Sequence, residues 1–517
     1  MIRALEMKPG TPVPQAEIPA LDQEEFGEAM LALAAQDCRI AALFAAPHPL
    51  ADPAGRLRIW AVMADDAAGT VWVLRSRAIK GQFHSLTSLL PQLHLFEREI
   101  AEEWGVLPEG HPWLKPVRFP PPVPGRASVF GPKNEAVGHM DFFRATGSQA
   151  HEVAVGPVHA GVIEPGHFRF QCHGEDVLHL EISLGYQHRG VERALPGFPG
   201  PRTLALMETL AGDTTMGHGL AYCRAMESLS GTTPCPEAEI LRLVMLELER
   251  LANHTGDLGA LAGDVGFLPT LSFCGRLRGD FLNLSALVCG SRFGRGMVRP
   301  GGVGFGLDRE RTALLRERLQ ATLADVEGAI QVLWDSGTSM RRFHDTGVLS
   351  REDATALGLV GPAARASGLE RDVRHDFPRG WYEHLRFPIP TRDEGDVFAR
   401  ATVRHLEIRQ SVNLILNALS ALDPDLASDP ARLAPRTAAS PPLLARDALT
   451  VSLEEGWRGE ICHVCLTGPD GSIGRYKVVD PSFHNWFGLA LALRKGQISD
   501  FPLCNKSFNL SYCGHDL

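Results

Sequence analysis

The sequence predicts an α+β amino-terminal domain followed by a mainly α-helical bundle domain with small β elements. Apolar residues first fall into short strand-like runs and later repeat at helical spacing. Between the two patterns, residues 116–132 are rich in proline, which is typical of a linker. A length of 517 residues also fits two or more domains. We therefore expect a first domain over 1–120, a linker over 121–150 and a second domain over 151–517.

In the first domain, apolar spacing predicts a helix over 22–37. Strands are then predicted over 39–45, 57–64 and 70–76. The run Asp65-Asp66-Ala67-Ala68-Gly69 predicts the turn between the last two. A second helix is predicted from Leu95, with Phe96, Ile100 and Trp104 on one apolar face and Gly105 as its end.

In the second domain, alternation and a turn at Gly174 predict a β-hairpin that ends over 177–182. Long helices are predicted from apolar periodicity over 236–262, 277–293, 307–335 and 393–421. Residues 423–448 have the composition of a loop. Strands near 450–452, 460–467 and 474–479 complete the domain.

Composition excludes several function classes. The net charge is −10, which disfavours nucleic acid as a partner. No apolar run approaches the roughly 18–20 residues that span a bilayer, and the first ten residues lack the apolar core of a signal peptide. We expect a cytoplasmic protein that is peripheral on the inner face of the cell membrane, as part of a complex.

Ten cysteines are scattered along the chain. The single C-x-x-C, Cys462-His463-Val464-Cys465, supplies at most half of a metal site, and no second pair completes it. Its apolar setting predicts a buried strand, where free cysteines pack as small apolar side chains. We therefore expect these thiols to be structural.

The first domain carries a recognisable set of motifs. Phe96-Glu97-Arg98-Glu99-Ile100 is followed by Gly105 and by Glu109-Gly110-His111-Pro112. This set resembles the 30-kilodalton-type subunit of respiratory complex I, which is fused ahead of the large subunit in formate hydrogenlyase and hydrogenase-4 proteins. Its residues form no catalytic constellation, so we expect a docking module.

The second domain resembles the nickel–iron hydrogenase large-subunit family over nearly all of 150–517. Within that family it is most similar to the hydrogenase-4 and formate hydrogenlyase large subunits and to their relative, the 49-kilodalton quinone-pocket subunit of complex I. The motifs that carry the resemblance, in chain order, are Leu184–Glu192, Glu247–His254, Arg299–Val303, Arg365–Gly368 and Gly395-Asp396 with Arg400 and Glu407. Within the second of them, we interpret Glu249, Arg250 and His254 as structural.

The resemblance implies a nickel–iron centre held by four thiolates, which must ionise to bind. Alignment on His218 puts the first ligand pair at Ala211 and Thr214, and alignment on Asp500-Phe501-Pro502-Leu503 puts the second at Ser511 and Gly514. None of these is a cysteine, and Cys513 is the one thiol nearby. No cleavable extension is apparent after Leu517. We expect no metal centre on this chain.

Complex I offers a second model, because its quinone site uses a tyrosine and a histidine. The tyrosine position falls on Gly212, and the histidine loop corresponds roughly to Gly156–Gly166. His159 or His167 in that loop is therefore a candidate for quinone binding. Asp480 and Asn485, in a motif that resembles one beside the active-site cavity of the family, are further cofactor-binding candidates.

The remaining polar residues of segment 184–222 are candidates for a pocket that handles protons, since histidine titrates near neutral pH. We expect them around one cavity; they are His188, Arg189, Glu192, Glu208, Asp213 and His218. Either a cationic Arg189 raises the potential of an iron–sulfur cluster on a partner subunit, or it pairs with Glu192 or another acid and holds the bundle together.

Three functions stay open. The chain is a hydrogenase-like subunit of a membrane-associated, ion-translocating oxidoreductase that passes electrons from an iron–sulfur partner subunit to a quinone or other acceptor. Alternatively, it is a non-catalytic coupling scaffold beside membrane antiporter-like and anchor subunits, or a nickel–iron hydrogenase after all. The chain has no nucleotide-binding motif, so any NADH would be oxidised on another subunit.

Overall fold

The computed structural model describes residues 2–48, 50, 55–131, 136–159, 163–433 and 443–517. Its amino-terminal part holds a five-stranded sheet. The elements there are β1 (Leu5–Met7), β2 (Val13–Pro14), β3 (Ala20–Leu21), α1 (Gln23–Ala34), β4 (Arg39–His48), β5 (Arg56–Asp65), β6 (Thr70–Ser76), β7 (Gln82–His84), α2 (His94–Trp104) and β8 (Leu107–Glu109). The sheet order is β1-β6-β5-β4, and β3 pairs with β6 in parallel.

Local sequence explains how these elements begin and end. Asp22 and Glu25 form a capping box at the start of α1, which satisfies free N–H groups of the first turn. The predicted turn after Asp65 is present, with the Asp65 carboxylate accepting from the Ala68 N–H. Helix α2 ends at Gly105, whose φ of 62° suits a residue without a side chain.

The carboxy-terminal part begins with a three-stranded antiparallel sheet and continues with helices. Its first elements are β9 (Ala150–Val155), β10 (His167–His173), β11 (Asp176–Ser183), α3 (Val191–Ala194), α4 (Pro201–Met207), α5 (Thr215–Ser230), α6 (Pro236–Asp264), α7 (Leu268–Cys289), β12 (Val298–Arg299), β13 (Gly302–Val303) and α8 (Arg309–Trp334). Helices α5, α6 and α7 share one apolar core with α8. The helix predicted over 277–293 is the second half of α7.

The rest of this part returns to a sheet and ends in short helices. The elements are α9 (Gly337–Phe343), α10 (Arg351–Leu357), α11 (Gly361–Arg365), α12 (Val373–Asp376), α13 (Val397–Ala421), α14 (Pro424–Ala427), α15 (Pro430–Leu433), β14 (Ala448–Gly456), β15 (Gly459–Thr467), β16 (Ile473–Val479), α16 (Pro481–Ala492), α17 (Phe501–Phe508) and α18 (Tyr512–Asp516). Helix α13 starts later than the predicted 393 because the Asp396 side chain caps it at the Ala399 N–H.

The two parts pack closely together. Strand β2 pairs with β14, and Val451 and Val464 lie in the same apolar core as β4–β6. Helix α2 adds ion pairs across the junction, from Glu99 to Lys477 and from Glu103 to Arg475. In the proline-rich segment 116–132, Arg118 is buried and also pairs with Glu99. The amino-terminal part therefore shares a core with β14–β16.

None of the helices in the described part of the chain is long and apolar enough to cross a bilayer.

Candidate functional site

Segments 209–214 and 511–514, which carry the four aligned ligand positions, lie against each other around Cys513. The Arg189 guanidinium joins them, donating to the carbonyl oxygens of Thr209 at 2.7 Å, Leu210 at 2.8 Å and Cys513 at 3.5 Å. The Gly212 backbone also lies close enough to the Cys513 thiol to lower its pKa.

The predicted quinone loop reaches the same place. The Cys513 N–H donates to a Glu164 carboxylate oxygen at 3.3 Å, and the Tyr512 N–H donates to the other at 3.4 Å. Arg189 and Gly212 are exposed, and Glu164 and Cys513 are partly exposed. We call these four residues the Cys513 surface.

The residues at the four ligand positions do not fit a nickel–iron centre. Thr214 and Ser511 offer hydroxyls that are engaged with Asp213 and with the Gly514 N–H, and Ala211 offers a methyl group. A side chain at Gly514 would put its Cβ 2.6 Å from the Asp480 carboxylate, so a cysteine there needs the carboxylate to move. Among the described residues, no group of three or more His, Cys, Asp and Glu side chains is placed to hold a metal ion.

Cys513 does not replace the missing thiolates. Burial, and then the charge of Glu164, raises the pKa of this thiol to about 11. It is therefore protonated at neutral pH when no metal is bound, and one thiol supplies at most one of the four thiolates that the resemblance implies.

Asp213 forms an ion pair with Arg458. Both carboxylate oxygens accept from the guanidinium at 2.7 Å, and the Arg458 Nη1 also lies 3.4 Å from the Thr214 hydroxyl. The guanidinium stacks 3.8 Å from the centre of the Trp457 ring. Burial would raise the pKa of Asp213, but the charge of Arg458 and its hydrogen bonds lower it overall. Asp213 is thus an ionised partner of a buried arginine.

His218 is completely buried and belongs to a hydrogen-bonded chain of Asp480, His218, His463 and Tyr476, which we call the histidine chain. His218 Nε2 lies 3.0 Å from Asp480 Oδ2, and His218 Nδ1 lies 3.2 Å from His463 Nε2. His463 Nδ1 in turn lies 2.9 Å from the Tyr476 hydroxyl.

Donor and acceptor counting assigns the protons of the histidine chain. An ionised Asp480 only accepts, so His218 donates from Nε2 and accepts at Nδ1. His463 then donates from Nε2 and accepts from the Tyr476 hydroxyl. Burial holds the pKa of His463 well below its ordinary value, which keeps this ring neutral. Every polar atom along this path has a partner, and both histidines are sealed from solvent.

The expectation of one cavity around the six candidate residues needs correction. Asp213 and His218 are paired as described above. The His188 Nδ1 donates to the Asp516 carbonyl at 2.7 Å, and Glu208 accepts from the Gly296 N–H at 2.7 Å. Among the described cavities, none is lined by all six residues together.

Arg189 does not pair with Glu192. Glu192 is buried and accepts from Arg475 at 3.0 Å, from Lys477 at 3.1 Å and from the Val478 N–H at 2.9 Å. Within the described part of the chain, Arg189 donates only to carbonyl oxygens. Its positive charge is therefore uncompensated by a directly bonded acid.

The cofactor-binding candidates differ in their freedom to bind. His167 is buried, and both ring nitrogens are used, by the Gly156 carbonyl and by Arg169. His159 is partly exposed, and its Nε2 lacks a hydrogen-bond partner among the described residues.

Asp480 and Asn485 are structural in this geometry. Asp480 binds His218 and caps α16 at the Ser482 N–H. Asn485 is 1% exposed and exchanges two hydrogen bonds with the Val360 backbone. Neither side chain has a free polar atom that faces solvent.

Other polar motifs form the frame of the site. Cys462 and Cys465 are three positions apart on β15, so their side chains point to opposite faces and into different cores. His254 donates to Glu407 at 2.8 Å, and Arg250 binds Glu247 together with two backbone carbonyls. These groups hold α6 to α13 and β14.

The sequence does not single out four residues that the structure brings to the site, namely Glu164, Arg458, His463 and Tyr476. Glu164 lies inside the predicted quinone loop, for which the resemblance implies only a histidine. His463 lies between the two cysteines of the C-x-x-C, a motif that points to its thiols. Arg458 follows Trp457 at the β14–β15 turn. A positive charge directly before the apolar run of β15 is a sequence signal that points to this residue.

Comparisons with known proteins show which family the chain resembles in sequence. Residues 264–516 match the family model described as respiratory-chain NADH dehydrogenase, 49 Kd subunit. The carbon monoxide-induced hydrogenase of Rhodospirillum rubrum is 31% identical over 363 residues, which cover 69% of this chain and 97% of that protein. NADH-quinone oxidoreductase subunit 4 of Thermus thermophilus is 30% identical over 370 residues, covering 67% and 89%.

One further relative extends into the amino-terminal part. Formate hydrogenlyase subunit 5 of Escherichia coli is 26% identical over 474 residues, which cover 89% of this chain and 81% of that protein. The family model begins at residue 264, so the 30-kilodalton-type identity of the amino-terminal part stays a prediction.

Proposed function

The chain belongs to the family of the 49-kilodalton subunit of respiratory-chain NADH dehydrogenase and the related hydrogenase subunits, and we propose that it is an electron-transferring subunit of a membrane-associated, ion-translocating oxidoreductase that works without a nickel–iron centre. An iron–sulfur cluster on a partner small subunit supplies the electrons. A quinone accepts them at the Cys513 surface. Antiporter-like and anchor subunits hold the complex on the inner face of the membrane.

The observation that carries this proposal is the convergence at Cys513. The exposed Arg189 and the partly exposed Glu164 of the predicted quinone loop meet at Cys513, beside positions 211, 214, 511 and 514, where the resemblance implies thiolates and this chain has Ala, Thr, Ser and Gly. A quinone has two carbonyl acceptors, so it suits a surface that presents donors such as the Arg189 guanidinium.

The residues have separate tasks in this reaction. Reduction of a quinone to a quinol consumes two electrons from the partner's cluster and two protons from solvent. Arg189 stabilises negative charge on the acceptor oxygen, because its charge is not cancelled by a bonded acid. His159 is the candidate proton donor, since its buried Nε2 has no hydrogen-bond partner within the described residues. His218 and Asp480 hold segments 209–214 and 511–514 together without contacting the quinone.

A second candidate is the coupling scaffold, and one observation favours it. Asp213, His218 and Asp480 are all engaged with partners inside the chain, and the histidine chain is closed to solvent. A protein that only transmits conformational change keeps such a frame and needs no acceptor site. The two candidates therefore differ in what the Cys513 surface does.

The test compares Arg189→Ala with Arg193→Ala in the intact complex. Arg193 is also exposed and also donates to a carbonyl, that of Pro121, but it lies outside the Cys513 surface. We expect Arg189→Ala to lower quinone reduction at least tenfold and Arg193→Ala to leave it unchanged. Equal rates for both variants, or no quinone reduction by the wild-type complex, would favour the scaffold. Stoichiometric nickel in the purified complex would restore the hydrogenase hypothesis.

A further inference from the structure

A cavity of about 420 Å³ lies between the amino-terminal part and the helices behind the former metal pocket. Its walls come from α2, the segment 112–117, β11 and α16, so it exists only because the two parts pack together. His515, one residue after Gly514, lines the cavity. The cavity is separate from the Cys513 surface, none of whose four residues lines it.

Aromatic rings form much of the cavity wall. Trp113 and His179 lie 6.0 Å apart between ring centres, and His94 and Phe487 lie 4.9 Å apart. Trp486 and Leu180 add apolar surface. The rings of each pair pack against one another at tilted angles and leave apolar faces and edges on the wall, which suit an aromatic ligand that buries apolar area.

The cavity also carries excess positive charge. Arg98 lines it and bonds only to the carbonyls of Lys115 and Pro116 and to the His94 ring. Arg494 is exposed at the rim, without a hydrogen-bond or ion-pair partner among the described residues. The one acid in the lining, Glu181, is paired with Lys115 at 2.5 Å. An anionic group on a ligand therefore meets two arginines and no unpaired carboxylate.

The wall contains polar atoms that the protein itself does not satisfy. His94 Nδ1, His179 Nε2 and Trp486 Nε1 are buried and have no hydrogen-bond partner within the described residues. A ligand that reached one of these atoms would supply the hydrogen-bond partner that the described protein residues do not.

We propose that this cavity, which we call the aromatic cavity, binds a flat aromatic anion such as an aromatic carboxylate or sulfonate. The rings stack on Trp113, His179 and Phe487, and the acidic group lies toward Arg494 and Arg98. The volume falls within the roughly 300–1,000 Å³ of small-molecule sites. This inference does not rest on the proposed electron transfer, because it concerns residues that the electron path does not use.

The test uses the purified full chain and two fluorescent probes. One is 1-anilinonaphthalene-8-sulfonate, and the other is N-phenyl-1-naphthylamine, which has the same rings without the sulfonate. Arg494→Glu reverses the charge at the rim. Lys495→Glu makes the same change one residue away, outside the cavity lining. Ala490→Trp fills the cavity from α16, and circular dichroism with thermal unfolding checks that it folds.

We expect Arg494→Glu to weaken binding of the sulfonate probe at least tenfold and to leave the uncharged probe unchanged. Lys495→Glu is expected to leave both unchanged, and Ala490→Trp to abolish both. Three results would each overturn the proposal: no saturable binding by the wild type, equal effects of the two glutamate variants on the sulfonate probe, or wild-type binding by a folded Ala490→Trp. The Arg494 pair decides the question even if Ala490→Trp does not fold.

Discussion

The histidine chain and the Cys513 surface both adjoin segments 209–214 and 511–514. Their polar groups differ in burial and in hydrogen-bond partners. In the histidine chain, His218 is 0% exposed and Asp480 is 1% exposed, and both are hydrogen-bonded to side chains. At the Cys513 surface, Arg189 is exposed and bonds only to carbonyls, and the thiol is partly exposed.

The difference separates two kinds of retained residue. A buried group paired on every side stabilises the fold, because removing its partner leaves an unsatisfied polar atom. An exposed cation without a bonded acid contributes little to stability and remains available to a partner or ligand. Substitutions in the histidine chain should therefore act on stability, and substitutions at the Cys513 surface should act on function.

The largest expected effect comes from Asp480→Ala. It removes the acceptor of a buried histidine and the cap of α16 at the Ser482 N–H. We expect a loss of about 3 kcal/mol in the free energy of unfolding, from about 1 kcal/mol for the cap and about 2 kcal/mol for the buried hydrogen bond. Urea unfolding followed by circular dichroism measures it.

Two variants serve as controls for Asp480→Ala. Asp470 also accepts a backbone N–H, that of Ser472, but it lies in an exposed turn, so Asp470→Ala should destabilise the protein much less than Asp480→Ala does. Arg189→Ala should cost less than about 1 kcal/mol, because its bonds to three backbone carbonyls are exposed or only partly buried. A loss in Arg189→Ala as large as that in Asp480→Ala would remove the distinction between the two regions.

The ion pair between Asp213 and Arg458 is intermediate between the two regions in its exposure. The Asp213 side chain is 34% exposed and that of Arg458 is 4% exposed. Asp213→Ala leaves a buried guanidinium without its acid, and we expect a loss of about 2 kcal/mol. Arg458→Ala in the same background should cost less than it does alone, with a coupling of about 1 kcal/mol in a double-mutant cycle. Additive losses would mean that the pair is not coupled.

Much of the fold follows from local sequence signals. Alternation and the Asp65–Gly69 turn predict β5 and β6, and apolar spacing predicts α6, because these elements bury one face against the core. The packing of β2 on β14 is not predictable in this way, because it joins residues more than 430 positions apart. The burial of Arg118 in the proline-rich segment likewise depends on Glu99 of α2.

The candidate site is predictable only in part. Motif order predicts segments 209–214 and 511–514 and the positions in them that align with thiolate ligands, which are local features. The partners of those segments are not local, since Asp213 binds Arg458 and His218 binds both Asp480 and His463, all from distant parts of the chain. Periodicity reports which face of an element is apolar, but not which buried charges meet across elements.

Glu249, whose carboxylate feels the charge of Asp213, tests whether the free energy of unfolding depends on pH. Its carboxylate accepts from the N–H groups of Met216 and Gly217 at the start of α5. Burial, and then the charge of Asp213, raises its pKa to about 8, against about 4.3 for an unfolded chain. The folded protein binds this proton more tightly, so its stabilising effect is complete below about pH 4.3 and is lost as pH rises toward 8.

The Glu249→Gln variant mimics the protonated acid and should remove this dependence. We expect wild type to lose about 1 kcal/mol relative to the variant between pH 5 and pH 8, a value reduced because the Glu249 side chain is partly exposed. Urea unfolding at several pH values measures the difference. Parallel stability curves for the two proteins would show that Glu249 ionises normally in the fold.

The smallest effect on stability, and the sharpest test of the Cys513 surface, is the reactivity of Cys513. Because its pKa is raised to about 11 by burial and then by Glu164, its alkylation by iodoacetamide should be slow at pH 8 and rise steadily up to pH 10. Glu164→Gln removes the negative charge and should speed alkylation at pH 8 about threefold to tenfold. Mass spectrometry of the labelled peptide identifies the site.

Cys235 provides the matched control for this labelling, since it is also partly exposed and its thiol pKa is also raised by burial. Glu164→Gln should leave the alkylation of Cys235 unchanged, because Glu164 does not contribute to its pKa shift. The free energy of unfolding should change by less than about 0.5 kcal/mol, since the Glu164 carboxylate is partly exposed. A faster reaction at Cys513 without loss of stability would show that the charge of Glu164 controls an accessible thiol, as the contrast with the sealed histidine chain requires. An unchanged rate would mean that Glu164 does not act on Cys513, and the quinone loop would then have no electrostatic link to the former ligand positions.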